Sequence, residues 1–524
     1  MLQKNDVIQL EIQSVTNEGS GVGRHEGMAV FVPMTAAGEL VQVKIVKVLK
    51  NYCYGIVEQV LRPSEQRLVP DCPVFRRCGG CSLRHLSYQE ELRCKGEWVR
   101  DVLQRIGGLS LTVPPVLPSP LEREYRNKAQ YPFGLSPDGK AYCGFYASRS
   151  HTIIPAEGCL LQPPFFEKIC RAVCAYIDQT GGDIYEENTG KGLFRHLYLR
   201  WAEATGEVMV CLVINGERIP RPQLLVERVL AACPQTASIQ LNINKRNTNV
   251  ILGQKSTVLW GKEAITDILA GVRVRISPLS FYQVNHQGAE RLYRTAAEMA
   301  QLQPEDRLLD LYCGAGTIGL SMAGQVRELT GVEIVESAVR DARQNAAENG
   351  IHNARFYCED AGMAASRLVR EGLRPDVIVL DPPRKGCDET TIDAVCAMAP
   401  KRLVMISCNP ATMARDLKLL VQRGYQVERV QPVDMFPRTN HVETVVLLSK
   451  LNTKQHVEVE LNLDELDLTA AESKATYDEI KAYVLEKHGL KVSSLYISQV
   501  KQKCGLDVGQ NYNLSKKENA KVPQ

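Results

Sequence analysis

Leu308-Leu309-Asp310-Leu311-Tyr312-Cys313-Gly314-Ala315-Gly316-Thr317-Ile318-Gly319 decides the fold, because an apolar strand, a Gly-x-Gly turn and the start of a helix follow one another without a break. Glycines at 314 and 316 let backbone amides approach a ligand closely, and strand, glycine turn and helix in that order form the first unit of a doubly wound sheet. Leu329-Thr330-Gly331-Val332-Glu333 reads as a second strand ending in a carboxylate, where such folds hold a ribose hydroxyl pair. Phe356-Tyr357-Cys358-Glu359 before Asp360 supplies a third strand, and apolar runs at 377–380, 403–407 and 445–448 continue the rhythm. The alternation predicts a Rossmann-like α/β domain over residues 286–450.

Outward from that unit the text changes character. Residues 6–60 alternate apolar and polar positions in short runs broken by Gly19-Ser20-Gly21-Val22-Gly23, which predicts a five-stranded, OB-like small β-barrel over residues 1–62. Residues 68–285 read as a central α+β domain, with helices at about 89–106 and 164–179 and strands at 197–201 and 208–214. Past Lys450 a polar stretch leads to the capping box Thr476-Tyr477-Asp478-Glu479 and a stop at Gly489, so residues 451–524 are expected to form a small appendage with two short helices. The multidomain α/β reading suits 524 residues, and 63 Lys+Arg against 60 Asp+Glu confine any nucleic-acid binding to local patches. The sequence has no apolar run long enough to span a bilayer and no secretory h-region, so a cytoplasmic chain is expected. In a reducing compartment its 17 cysteines point to metal ligands, a catalytic thiol and buried thiols, not disulfides.

The Asp-x-x-x-Gly-x-Gly frame lacks the third glycine of a dinucleotide site and resembles the S-adenosylmethionine turn of class I methyltransferases. Two further strands end in Asp381-Pro382-Pro383-Arg384-Lys385-Gly386 and Ser407-Cys408-Asn409-Pro410, and Asn440-His441-Val442-Glu443-Thr444 brings another carboxylate. A thiol and two carboxylates around a methyl donor suit alkylation at C5 of uracil, a carbon too weakly nucleophilic to take a methyl group directly. Thiolate addition at C6 makes C5 carbanionic, and a base then removes the C5 proton after methylation. Cys408 fits the nucleophile and Glu443 the base; Cys313 and Cys387 are rival thiols whose bland role is burial, and an ion pair is the bland role of Glu443.

Asp-Pro-Pro-Arg-x-Gly, Ser-Cys-Asn-Pro and His-Val-Glu-Thr, in that order, resemble the RNA uracil-C5 methyltransferases over residues 1 to about 450. The likeness implies donor contacts from Gln283, Tyr312, Thr317, Glu333, Asp360 and Asp381, with Thr317 standing where members often carry Asn. Residues 6–60, with the turn Glu18-Gly19-Ser20-Gly21-Val22-Gly23-Arg24, resemble a TRAM domain. Cys72-x5-Cys78-x2-Cys81 lacks a fourth ligand, and its spacing leaves zinc and a [4Fe–4S] cluster open, with Cys94, Cys143 and Cys159 as candidates. The resemblance implies the iron–sulfur cluster, completed by Cys159 in Cys159-Leu160-Leu161-Gln162-Pro163.

TRAM plus cluster is most similar to the 23S rRNA enzymes, and a monomer is expected. The target uracil must leave its stack to reach Cys408, so a flipped or single-stranded base flanked by Phe281 or Tyr312 is expected. Arg76, Arg77, Arg84, Arg93, Lys95, Arg100 and Arg105 are the expected phosphate contacts. The alternatives are a tRNA uracil-C5 methyltransferase, a radical methylthiotransferase, whose cysteine spacing and domain order differ, and a non-catalytic rRNA-binding assembly factor.

Overall fold

Alternation in the first sixty residues resolves into strands Val7–Glu11, Ser14–Val15, Ser20–His25, Met28–Pro33, Leu40–Val48 and Tyr52–Arg62. Their inward side chains, among them Leu10, Val30, Val32, Val43 and Cys53, make a closed apolar core. Among the described residues this sheet has six strands, one more than the sequence predicts. The extra strand is the two-residue Ser14–Val15, which pairs Ser14 with Val22 and Val15 with Gly21 and is too short to leave a pattern. The computed structural model describes residues 2–451 and 477–488, and the chain divides into two units, Met1–Leu451 and Asn452–Gln524.

The helix Tyr88–Arg105 follows the barrel and is capped by Ser87, whose side chain accepts the Glu90 N–H at 3.2 Å. A mixed sheet comes next, in the order Lys255–Gly261, Thr236–Ile243, Val208–Ile214, Phe194–Trp201, Lys128–Leu135, Ala141–Tyr146, Ile153–Pro155. Helices Pro164–Thr180 and Pro222–Ala232 close one face of it over Phe166, Val173, Leu197 and Leu225. The hairpin Ile265–Leu269 with Val272–Ile276 packs into the next core, against Leu292 and Ile318.

That next core is built on β1 (Arg307–Leu311), β2 (Glu328–Glu333), β3 (Ala354–Cys358), β4 (Val377–Leu380), β5 (Arg402–Ser407), β6 (Tyr425–Val433) and β7 (Glu443–Lys450). Among the described residues the sheet order is β3-β2-β1-β4-β5-β7-β6. β1 to β5 run parallel, as a doubly wound sheet requires, and β7 enters antiparallel between β5 and β6. The reversed strand therefore starts at the edge where the parallel strands finish. In the second unit the helix Tyr477–His488 is described; Thr476, Gly489 and the other expected helix lie outside the described residues. No described helix is long and apolar enough to cross a membrane.

Candidate active site

The turn after β1 is held open by conformations that few residues adopt. Gly314 and Gly316 have φ of 54° and 78°, and even Tyr312 sits at 66°. Gly319 answers a different need: its N–H donates to Asp310 Oδ2 at 3.0 Å, and a Cβ there would lie 2.7 Å from the same oxygen. The other Asp310 oxygen, Oδ1, is buried without a hydrogen-bond partner. Burial pushes the Asp310 carboxyl up to about 8, Asp381 and Glu333 add to the shift, and the Gly319 N–H opposes it. Glu333, at the end of β2, accepts the Gly314 N–H at 3.1 Å and the Val335 N–H at 2.8 Å. Asp360 caps the helix Ala361–Arg370 by accepting from Gly362 and Met363 at 3.0 and 3.2 Å.

Beside these carboxylates Ile334 and Met363 hold apolar side chains 63% and 65% exposed. Thr317 Oγ1 and Tyr293 Oη lie 2.9 Å apart, and Gln283 and Asp381 neighbour the same phenol. Gln283, Thr317 and Asp381 thus gather around the Tyr293 phenol, while Glu333 and Asp360 stand at the ends of β2 and β3. The Tyr312 hydroxyl lies 3.3 Å from Thr391 Oγ1, and its ring packs against the core that holds Cys387. Three carboxyls and two exposed apolar groups fit a sulfonium, a ribose and an adenine, whereas a pyrophosphate would be set against the Glu333 carboxylate.

The second half of the site comes from register. Ser407 pairs with Thr444 across β5 and β7, so the next residues outward, Cys408 and Glu443, stand opposite each other at the strand ends. Burial pushes Glu443 up to about 8, the charge of Asp381 adds to the shift, and Arg384 opposes it. The Cys408 thiol is likewise pushed up by burial, then by Glu443 and Asp381, with Arg384 again opposing. The loops after β4 and β5 are tied together, since Asn409 caps the helix Pro410–Gln422 and donates Nδ2 to the Arg384 carbonyl at 3.0 Å.

Cys408 is half-exposed, while Cys313 and Cys387 are buried. The Cys387 thiol is raised to about 12 by burial, and its backbone N–H donates to Asp416 at 2.8 Å. Cys313 lies under Gly331, where a Cβ would come within 3.1 Å of its sulfur. Asp310, Arg384 and Tyr293 carry no role in the sequence motifs, although Asp310 opens the Asp-x-x-x-Gly-x-Gly frame.

Residues 235–451 match the tRNA (uracil-5-)-methyltransferase family, and residues 2–57 match the TRAM domain. The chain is 43% identical over 452 residues to an uncharacterised RNA methyltransferase of Halalkalibacterium halodurans, covering 86% of this chain and 98% of that one. The chain belongs to the RNA uracil-C5 methyltransferases. This methyltransferase is also 42% identical over 449 residues to an uncharacterised RNA methyltransferase of Staphylococcus aureus, covering 86% of its own length and 99% of the relative's. Its fold is similar to that of the Pyrococcus abyssi tRNA (uracil-54, C5)-methyltransferase in complex with S-adenosyl-L-homocysteine, with a TM-score of 0.68 and 27% identity over 84% of this chain and 99% of that one.

In this methyltransferase the segment between β6 and β7, which leads into Glu443, is held carbonyl by carbonyl. Met435 accepts from Asn285 Nδ2 at 2.9 Å, Phe436 from Lys95 Nζ at 3.2 Å, Pro437 from Tyr125 Oη at 2.9 Å, and Arg438 from the Ser82 and Leu83 amides at 2.9 and 3.1 Å. Beneath it Lys95, Glu91 and Asp434 are fully buried, with Lys95 Nζ 2.7 Å from Glu91 and 2.8 Å from Asp434. The two carboxylates hold Lys95 above the ordinary lysine range against the opposing effect of burial, so an ammonium occupies the site. Burial pushes Glu91 up, and Lys95 pulls it back.

Two of the expected phosphate contacts are corrected by these partners. Lys95 has no access to solvent, and Arg84 is buried and bound to Asp71 at 2.7 Å, whereas Arg93 is exposed and paired with Glu90 and Glu97. Arg76, Arg77 and Arg100 are exposed; Arg105 faces Asp101 at 3.2 Å.

Cys72, Cys78, Cys81 and Cys159 line one cavity of about 290 Å³, with Arg84, Arg126 and His441 on its wall. Cys94 lies elsewhere, buried beside Glu90, and Cys143 is buried near Cys170 and Cys174. Among the described residues no group of three or more His, Cys, Asp or Glu is set to hold a metal ion.

Proposed function

We propose that this methyltransferase transfers the methyl group of S-adenosylmethionine to C5 of a uracil in 23S rRNA, giving 5-methyluridine through a covalent Cys408–C6 adduct. The observation that carries the reading is the register that sets Glu443 opposite Cys408, with Asp381 influencing both. The Cys408 thiolate adds to C6, and the electron pair of the C5–C6 double bond moves toward C5 and O4. C5 then attacks the sulfonium methyl, the carbon–sulfur bond of the donor breaks, and S-adenosylhomocysteine leaves. Glu443 takes the proton from C5, the double bond re-forms, and the C6–sulfur bond breaks to return the thiolate. Glu333 suits the ribose hydroxyls, Asp360 the adenine amino group, and Gln283, Tyr312, Thr317 and Asp381 the remaining donor contacts.

A tRNA uracil is the second reading, favoured by the likeness to the Pyrococcus abyssi enzyme. The pairing of a TRAM domain with four cysteines around one cavity supports the 23S reading. Labelled donor offered with naked 23S rRNA and with unmodified tRNA separates the two. Label should enter 5-methyluridine of 23S rRNA; label in tRNA makes the second reading correct, and none in either RNA leaves a binding protein.

Both reactive groups must be deprotonated, yet each is raised above its ordinary value, Glu443 to about 8. kcat/KM for methyl transfer should therefore climb as pH rises from about 6.5 to 9 instead of levelling at neutrality. A flat profile over that range at constant ionic strength would remove Glu443 from the role of base.

Cys72, Cys78, Cys81 and Cys159 would hold a [4Fe–4S] cluster. A single tetrahedral ion needs sulfurs about 3.8 Å apart, whereas a four-iron cluster takes one thiolate per iron at wider spacing, and the Arg84 guanidinium beside Cys81 offsets thiolate charge. The cluster would supply cross-linking without electron transfer, because methylation is redox-neutral. Anaerobically purified protein should be brown, with broad absorption near about 400 nm, and Cys78→Ser should bleach it. Colourless protein with stoichiometric zinc would overturn the cluster and leave the transfer chemistry intact.

A further inference from the structure

Three cations crowd one side of the central sheet with nothing to balance them. Arg200 and Lys128 are direct partners in the antiparallel pair of Phe194–Trp201 and Lys128–Leu135, so both side chains leave the same face. Arg126, two residues before Lys128, bridges to Asn285. Arg200 is 5% exposed and donates to the Tyr198 hydroxyl and the Ser280 carbonyl, which fixes its guanidinium beside the segment that carries Gln283. The same segment is anchored to this strand by Asn127, whose Nδ2 donates to the Gln283 carbonyl at 2.9 Å.

Among the described residues none of the three cations forms an ion pair, and Arg126 Nε is buried without a hydrogen-bond partner. Burial pulls the Lys128 ammonium down to about 8, Arg200 and Arg126 add to the shift, and no acidic group opposes it. Charges removed from water are ordinarily paired, so an unpaired cluster at the rim of a substrate cleft awaits an anion.

We propose that Lys128, Arg200 and Arg126 form a subsite for a phosphodiester of the substrate RNA, next to the 66% exposed Phe281. A polyanion is what the family acts on, and the exposed ring offers the neighbouring base a stacking surface. The subsite rests on RNA being the substrate and not on the roles of Cys408 and Glu443. If those roles fail, covalent trapping fails and this subsite is unaffected.

Lys128 is the residue to change, since Arg126 also lines the cysteine cavity. Lys128→Met in the full chain should bind a labelled uridine-rich single-stranded RNA about tenfold more weakly at low salt. The slope of log affinity against log salt should become shallower by about 0.7, the contribution of one single-strand phosphate contact. Lys128→Arg should keep both. The thermal midpoint of Lys128→Met should be no lower than that of the wild type, because an unpaired cation has been removed.

An unchanged salt slope would overturn the proposal. So would a loss of S-adenosylmethionine affinity with the RNA slope intact, which would assign the cations to the donor's carboxylate. Equal destabilisation by Met and Arg would make Lys128 a packing residue.

Discussion

Glu443→Gln enzyme incubated with S-adenosylmethionine and substrate RNA should migrate on denaturing gels as a protein–RNA conjugate whose base already carries the methyl group. Glutamine keeps the size of the side chain and loses its basicity, so addition and methylation proceed while removal of the C5 proton stalls. Turnover should fall by about 10²- to 10⁴-fold, the usual contribution of a positioned base. Cys408→Ala should bind donor and RNA yet form no conjugate, since no thiolate can reach C6, whereas Cys387→Ala should stay active because that thiol is buried in an apolar core. RNA containing 5-fluorouridine should trap the wild type, because fluorine cannot depart as a cation. Normal turnover by Glu443→Gln, or a conjugate in Cys408→Ala that is absent in Cys387→Ala, would show the roles to be wrongly assigned.

The largest effect on stability belongs to Lys95. Lys95→Met leaves Glu91 and Asp434 facing each other without solvent and without their shared cation, which should cost about 3–5 kcal/mol. The loss should appear as a lower urea midpoint at an unchanged slope. Adding Glu91→Gln to Lys95→Met should recover part of it, because one of the stranded carboxylates becomes neutral. A Lys95→Met midpoint within error of the wild type would mean that the buried carboxylates take up protons at little cost.

Local chemistry made the strand, glycine turn and following carboxylate readable. Strand, glycine turn and carboxylate lie within 26 residues of one another from Leu308 to Glu333, and the reactive motifs each sit at a strand end. What the sequence misreads is non-local. Lys95 stands on a helix rich in Arg and Glu and looks like a solvated phosphate contact, yet its partner Asp434 lies 339 residues away. β6 went unnoticed because a bulge between Val427 and Arg429 breaks the alternation that marks a strand. Lys128 and Arg200 meet through a strand register that no local pattern records. Cys408 and Glu443 were each legible as motifs, but their opposition depends on β7 running against its neighbours.

The clamped segment between β6 and β7 also bears on the order in which the polypeptide is made. The Ser82 and Leu83 amides, Lys95 and Tyr125 emerge from the ribosome hundreds of residues before Met435 to Arg438, the carbonyls and backbone they hold. Until synthesis reaches those carbonyls, Lys95 and Glu91 have no Asp434 to close their ionic triad, and the cysteine turn has nothing to lean on. Contacts of such long sequence separation form late and slowly. The first domains translated are thus finished by almost the last residues of the catalytic sheet, and a nascent chain stalled before Asp434 presents an unfinished helix face and an unsupported cysteine turn to chaperones and proteases.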